Sequence, residues 1–121
     1  MAKYMLLLGG ADLDKRSSNA ALAPKMFQEF ANWLGTIKQR GQYLQSHKLQ
    51  DRMGARLTVR GGQVVEGPFM ESKEGVGGVF LIEAASLEEA VGIARSCPTL
   101  WLQNGFVEVR VVEEVPRSVG A

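Results

Sequence analysis

Four charged residues crowd one short stretch, "VVEGPFMESKEGVGGVF" at positions 64–80: Glu66, Glu71, Lys73 and Glu74. Glu66 stands directly before Gly67-Pro68. A carboxylate there can serve as a general base or a ligand anchor, or it can cap the backbone donors of its own loop. Glu71, Lys73 and Glu74 follow on a loop, where they either line the mouth of a binding cleft or stay solvated. Phe69 sits among them as an apolar plug or contact. A second set is Arg56, Glu108 and Arg110. Glu108 and Arg110 are two apart in an alternating run and share one strand face, which suits either a polar cleft lining or an ion pair. The one histidine, His47 in "LQSHKLQ", is a weaker candidate base, because a surface imidazole needs no such role.

Several other chemistries fail on spacing. "GGADLDKRS" (9–17) has glycines, a lysine and serines, but not in the order of a phosphate-cradling loop. "GVGG" (75–78) leads into a strand and not a helix, so a dinucleotide site is not expected. One His and one Cys do not make a zinc site, and no nucleophile elbow is present. No metal and no cofactor is expected. A net charge of +1 gives no basic face for nucleic acid. The run Tyr4–Leu8 is far too short to span a membrane. The lone Cys97 permits no internal disulfide, which points to the cytoplasm.

These residues must be positioned by a small fold. With 121 residues, 45% of them hydrophobic and 22% charged, the chain fits one globular domain, expected over 3–114 with a frayed tail at 115–121. "KYMLLLGG" (3–10) reads as a buried strand. From about residue 20 to Arg40 the pattern is helical, with Ala23, Phe27, Phe30, Leu34 and Ile37 on one face and Gly41 as the stop. "RLTVRGGQVVEG" (56–67) is two strands around Gly61-Gly62, a hairpin signal. "GVFLIEA" (78–84) is a strand. "SLEEAVGIARSCP" (86–98) is a helix with Ser86 and Glu89 at capping-box spacing. "FVEVRVV" (106–112) is the closing strand.

That order predicts an α+β, ferredoxin-like sandwich with an extra hairpin, two helices covering one sheet face. Val107, Val109 and Val111, with Leu57 and Val59, are expected beneath the helices. Arg56, Glu108 and Arg110 are then expected on the open face. A second copy packed sheet to sheet is the economical cover for that face, giving a homodimer around a partly polar cleft.

The segment "EGPFMESKEGVGGVFLIEAASLEEAVGIA", with "KYMLLL" before it and "VEVRVV" after it, resembles the YCII-related, DGPF-type domain family across about residues 3–114. The resemblance implies a ferredoxin-like fold that assembles as a dimeric α/β barrel. It implies little chemistry, since most members have no assigned activity. In smaller relatives an acid/base dyad is proposed between a first-helix His and the Asp of Asp-Gly-Pro. Here that Asp is Glu66, and the helix has no His; Lys25 is its nearest ionisable group. Some members are associated with extracytoplasmic-function sigma factors.

Two functional readings follow. In one, a dimer binds, and in the stronger form transforms, a small polar molecule beside the EGPF loop, with Glu66 as anchor or base and Arg56, Glu108 and Arg110 as lining. In the other, the protein is a non-catalytic regulatory partner, with a sigma factor as the family association suggests. Gly67-Pro68 is expected to force a sharp exit from its strand, and the Gly77-Gly78 pair to admit a close backbone approach.

Overall fold

A computed structural model of the chain describes residues 1–10, 22–50, 54–67 and 75–115. The strands and helices run β1 (Ala2–Gly9), α1 (Leu22–Gln39), β2 (Tyr43–Lys48), β3 (Arg56–Arg60), β4 (Gln63–Gly67), β5 (Val76–Ala84), α2 (Leu87–Arg95), a 3-10 turn (Pro98–Trp101) and β6 (Phe106–Val111). Four strands pair in the order β2-β5-β1-β6, every neighbouring pair antiparallel. The α+β arrangement is consistent with the ferredoxin-like expectation.

The caps follow from local chemistry. Gly41 takes a φ of 70°, its N–H bonds Lys38 O at 3.0 Å, and the Gln42 N–H bonds Ile37 O at 3.1 Å. Those two bonds close α1 in a Schellman motif, which needs the left-handed residue a glycine supplies. At the start of α2 the Ser86 hydroxyl accepts from the Glu89 N–H at 3.1 Å, while Glu89 Oε1 accepts from the Ala85 N–H at 3.2 Å. The Glu89 carboxylate thus reaches back to the residue before the N-cap, a variant of the capping box that binds the Ala85 donor in place of the Ser86 one.

The core lies between the helices and one sheet face. Leu6 and Ile82 are fully buried, with Tyr4, Leu8, Ala84, Ala90, Ile93 and Cys97 around them. Val107 and Val109 pack against this cluster, as their alternation implies, whereas Val111 at the end of the strand is 61% exposed. On α1 the buried face is Met26, Trp33 and Ile37 with Phe30 beside them, whereas Phe27 is 79% exposed. Trp33 sets that orientation. Its indole Nε1 donates to Ile93 O at 3.0 Å, and its ring meets Phe80 edge-on at 5.0 Å and Phe30 at 6.2 Å. The helix is therefore turned by about 50° from the face the aliphatic spacing suggests, at roughly 100° per residue.

The extra hairpin is real, but it lies outside the main sheet. β3 and β4 pair with each other and with no other described strand. Gly61 and Gly62 form its turn with φ of 55° and 79°, the positive values a two-residue type I′ hairpin requires. Leu57 and Val59 are 64% and 71% exposed, so they do not lie beneath the helices, and Arg56 is not on the open face of the main sheet. β5 has β2 on one side and β1 on the other, so the hairpin does not enter the sheet beside the strand it precedes.

Candidate functional site

The sheet face turned away from the helices is ordered in cross-strand rows. One row reads His47, Val79, Leu7, Glu108 across β2, β5, β1 and β6. The next reads Gln45, Leu81, Met5, Arg110. Val79, Leu81, Met5 and Leu7 are half-buried and form an apolar floor two strands wide. Polar pairs stand on both sides of it. On β2, His47 Nε2 and Gln45 Oε1 are 3.1 Å apart. With the amide oxygen accepting, Nε2 holds the proton and Nδ1 is the nitrogen left to act. On β6, Arg110 donates from Nη1 to Glu108 Oε2 at 3.2 Å. The two banks are separated by three strand spacings, about 14 Å.

A β-bulge is what brings Gln45 and His47 to this face. The β2–β5 register slips between Tyr43 and Gln45, leaving Leu44 as the extra residue. Tyr43 faces the helices opposite Ile82, and after the slip Gln45 faces the open side opposite Leu81. Plain alternation would put residues 43, 45 and 47 on one face, so His47 would point at the core. The exposed imidazole depends on that one inserted residue.

One end of the face is closed by an aromatic ring. Phe106 lies opposite Gly9, and a Cβ built on Gly9 would come within 2.9 Å of Phe106 Cζ and run into Gly75 O. The Gly10 N–H bonds the same carbonyl at 3.2 Å. The close backbone approach thus occurs at Gly9 against Gly75, whereas a Cβ on Gly78 would meet His47 O at an ordinary 3.5 Å. β5 begins at this end, with Val76 opposite Gly9.

The hairpin separates the residues it carries. Glu66 is opposite Leu57 and Arg56 is opposite Gly67. Alternation puts Leu57, Val59, Val64 and Glu66 on one face and Arg56, Thr58, Arg60, Gln63 and Val65 on the other. Glu66 and Arg56 are both exposed but point to opposite sides, so one chain does not line a single cleft with both. The φ of Gly67 is not positive, and the rest of the sharp exit expected at Gly67-Pro68 lies outside the described residues. Pro68, Phe69, Glu71, Lys73 and Glu74 lie outside the described residues.

Other candidates settle into structure. Cys97 is fully buried, and burial pushes its thiol pKa up against the lowering effect of its Thr99 hydrogen bonds. It is a packed thiol and not a nucleophile. Trp33 is core, whereas Trp101 is 57% exposed. Among the described residues no three of His, Cys, Asp and Glu gather as a metal site, and no helix is long and apolar enough to cross a membrane. The floor residues Met5 and Leu7 and the His47 partner Gln45 were not marked by sequence reasoning; β1 is apolar on both faces, and that was the available signal.

The chain is thus a two-helix α+β fold with one sheet face turned away from the helices and flanked by polar pairs. The YCII-related domain model matches residues 6–116, and the chain belongs to that family. The chain is also similar to "Uncharacterized protein R00369" of Rhizobium meliloti (strain 1021), at 45% identity over 47 residues. That match takes in 39% of this chain and spans only 38% of the relative's length.

Proposed function

We propose that the protein works as a cytoplasmic homodimer of the dimeric α/β-barrel kind, holding a small polar molecule between the open sheet faces of two copies. The observation that carries this reading is the pair of rows His47-Val79-Leu7-Glu108 and Gln45-Leu81-Met5-Arg110. An apolar floor left in water is costly at about 25 cal/mol per Å². Hydrogen-bonding groups at both margins suit a ligand that keeps an apolar body on the floor and polar ends at the banks. Arg110 supplies a planar donor for a carboxylate or phosphate, and His47 Nδ1 supplies an acceptor nitrogen when Nε2 donates to Gln45. Transformation of the ligand, the stronger form, needs a base within reach of it, and Glu66 with His47 fills that role.

The test has two parts. Light scattering at micromolar concentration should give twice the 13.2 kDa chain mass. A thermal-shift screen of small carboxylates, phosphates and amines should then find a stabilising ligand whose effect is lost in His47→Ala and Arg110→Ala. A monomeric mass, or a ligand whose effect both variants keep, would overturn the reading. The regulatory alternative with a sigma factor rests on the family association alone, and no contact described above adds to it.

A further inference from the structure

We infer that the β3–β4 hairpin docks by its apolar face on a second copy of this chain, and so sets Glu66 of one copy at the mouth of the other copy's cleft. The inference rests on the homodimer proposed above and adds which element crosses between the copies.

The hairpin is amphipathic in an unusual place. Leu57, Val59 and Val64 share one face and are 64%, 71% and 70% exposed. The other face carries Arg56, Thr58, Arg60 and Gln63, with Val65 as its one large aliphatic side chain, and is the more polar of the two. A two-stranded hairpin standing alone is marginal in water, and one showing three large aliphatic side chains to solvent is worse. Among the described residues β3 and β4 pair only with each other, and the three side chains stay open.

A second copy is the occupant that the geometry favours. The same chain has two uncovered apolar surfaces, the hairpin face and the sheet face, in a one-to-one ratio. A twofold axis repeats every contact, so one dimer covers both surfaces on both copies and leaves nothing open to extend. Area supports the same conclusion. Five-residue strands give a hairpin face of roughly 170 Å², so two hairpins and the surfaces they meet bury about 700 Å². The two open sheet faces add a similar area at roughly 20 Å by 20 Å each. Either alone falls short of the ~1,200–2,000 Å² of a stable interface, and together they reach it. Glu66 lies at the root of the hairpin, far from the Gly61-Gly62 turn, on the docking face. With the tip on the second copy, that root borders the second copy's sheet, which accounts for a carboxylate on an otherwise aliphatic face.

The experiment places photo-reactive p-benzoylphenylalanine at Val64 or at Glu66, one at a time, in the full chain. An equal mixture of 14N- and 15N-labelled protein is allowed to exchange subunits, irradiated and read by peptide mass spectrometry. The expected result at position 64 is crosslinks joining one 14N and one 15N peptide. At position 66 the captured peptide should contain the second copy's Leu7, Val79 or Phe106. Leu57→Asp with Val59→Asp should abolish the hybrid crosslinks and raise the dimer dissociation constant at least tenfold, with the helical circular dichroism unchanged. Crosslinks confined to single chains, or a dimeric mass with no hybrid capture, overturn the inference while the dimer stands. A position-66 crosslink that misses the second copy's sheet removes Glu66 from the cleft. Irradiation in expressing cells that captures a different protein and no second copy overturns it as well. A monomeric wild-type mass removes the dimer itself.

Discussion

His47 and Glu108 stand at the two ends of one cross-strand row, with Val79 and Leu7 between them. The sequence separates them by half the chain, and the sheet order β2-β5-β1-β6 sets them on opposite margins of one apolar floor. Neither is buried. Each is hydrogen-bonded to the residue two positions along its own strand, His47 to Gln45 and Glu108 to Arg110. In the proposed cleft these bonds would hold each bank in place ahead of a ligand, which lowers the entropic cost of binding.

The ion pair on the β6 bank is a test of that view. Arg110 and Glu108 have side chains 67% and 52% exposed, so their attraction is heavily screened. Arg110→Ala should change unfolding stability by no more than about 0.5 kcal/mol in urea titration. Any ligand-dependent rise in melting temperature should nonetheless disappear. A large loss of stability would show that the pair holds the fold and is not held ready by it.

Gly9 carries the opposite kind of demand. Its missing side chain admits both the Phe106 ring and the Gly75 carbonyl. Gly9→Ala should destabilise by about 1–3 kcal/mol, the usual cost of overpacking, because the carbonyl is backbone and cannot rotate away. Adding Phe106→Leu should recover only part of the loss. Equal stability of Gly9→Ala and the wild type in guanidinium unfolding would show that the β1 end is more yielding than its contacts imply.

The fold was legible where chemistry is local. Ser86 and Glu89 marked the α2 cap, Gly41 marked the end of α1, and Gly61-Gly62 marked the hairpin, since each depends on residues a few positions apart. The α1 face was read too far round, because the count of aliphatic spacings left out Trp33, whose indole bonds Ile93 sixty residues away. The position of the hairpin was not legible at all. Alternation in "RLTVR" says which residues share a face, but not which sheet the strand joins. The β2 bulge at Leu44 was equally hidden, and it decides whether His47 is a core or a surface residue. Glu108 and Arg110 were placed on the open face correctly, since their strand alternates without interruption.

Glu89 joins two elements through one carboxylate. Its Oε1 accepts from the Ala85 N–H at 3.2 Å and from Gln42 Nε2 at 2.6 Å. Gln42 is buried, and its Oε1 already lacks a partner among the described residues. Glu89→Ala removes a cap and leaves the buried amide without its acceptor as well. The loss should be about 2 kcal/mol, above the ~1 kcal/mol expected for Ser86→Ala, which removes one capping bond. Similar losses for both variants in thermal unfolding would mean that water reaches Gln42 and replaces the carboxylate.

The last prediction concerns Cys97, fully buried and with its thiol pKa raised by that burial. The folded protein should react with a thiol reagent such as DTNB only through opening, so the rate at pH 8 should fall far below that of the urea-unfolded chain. The raised pKa also fixes a direction for stability. In the unfolded chain the thiol loses its proton near the ordinary value of about 8.5. In the folded chain it keeps the proton to higher pH, so above about 8.5 the unfolded state binds fewer protons than the native state. This group therefore lowers stability as pH rises through that range and has no effect below it. Cys97→Ala should remove that alkaline slope at the cost of a small cavity. The measurement is the urea midpoint of both proteins from pH 7 to pH 10. A wild-type midpoint that falls no faster than that of Cys97→Ala would show that the thiol ionises as readily inside the fold as outside it, contrary to its burial.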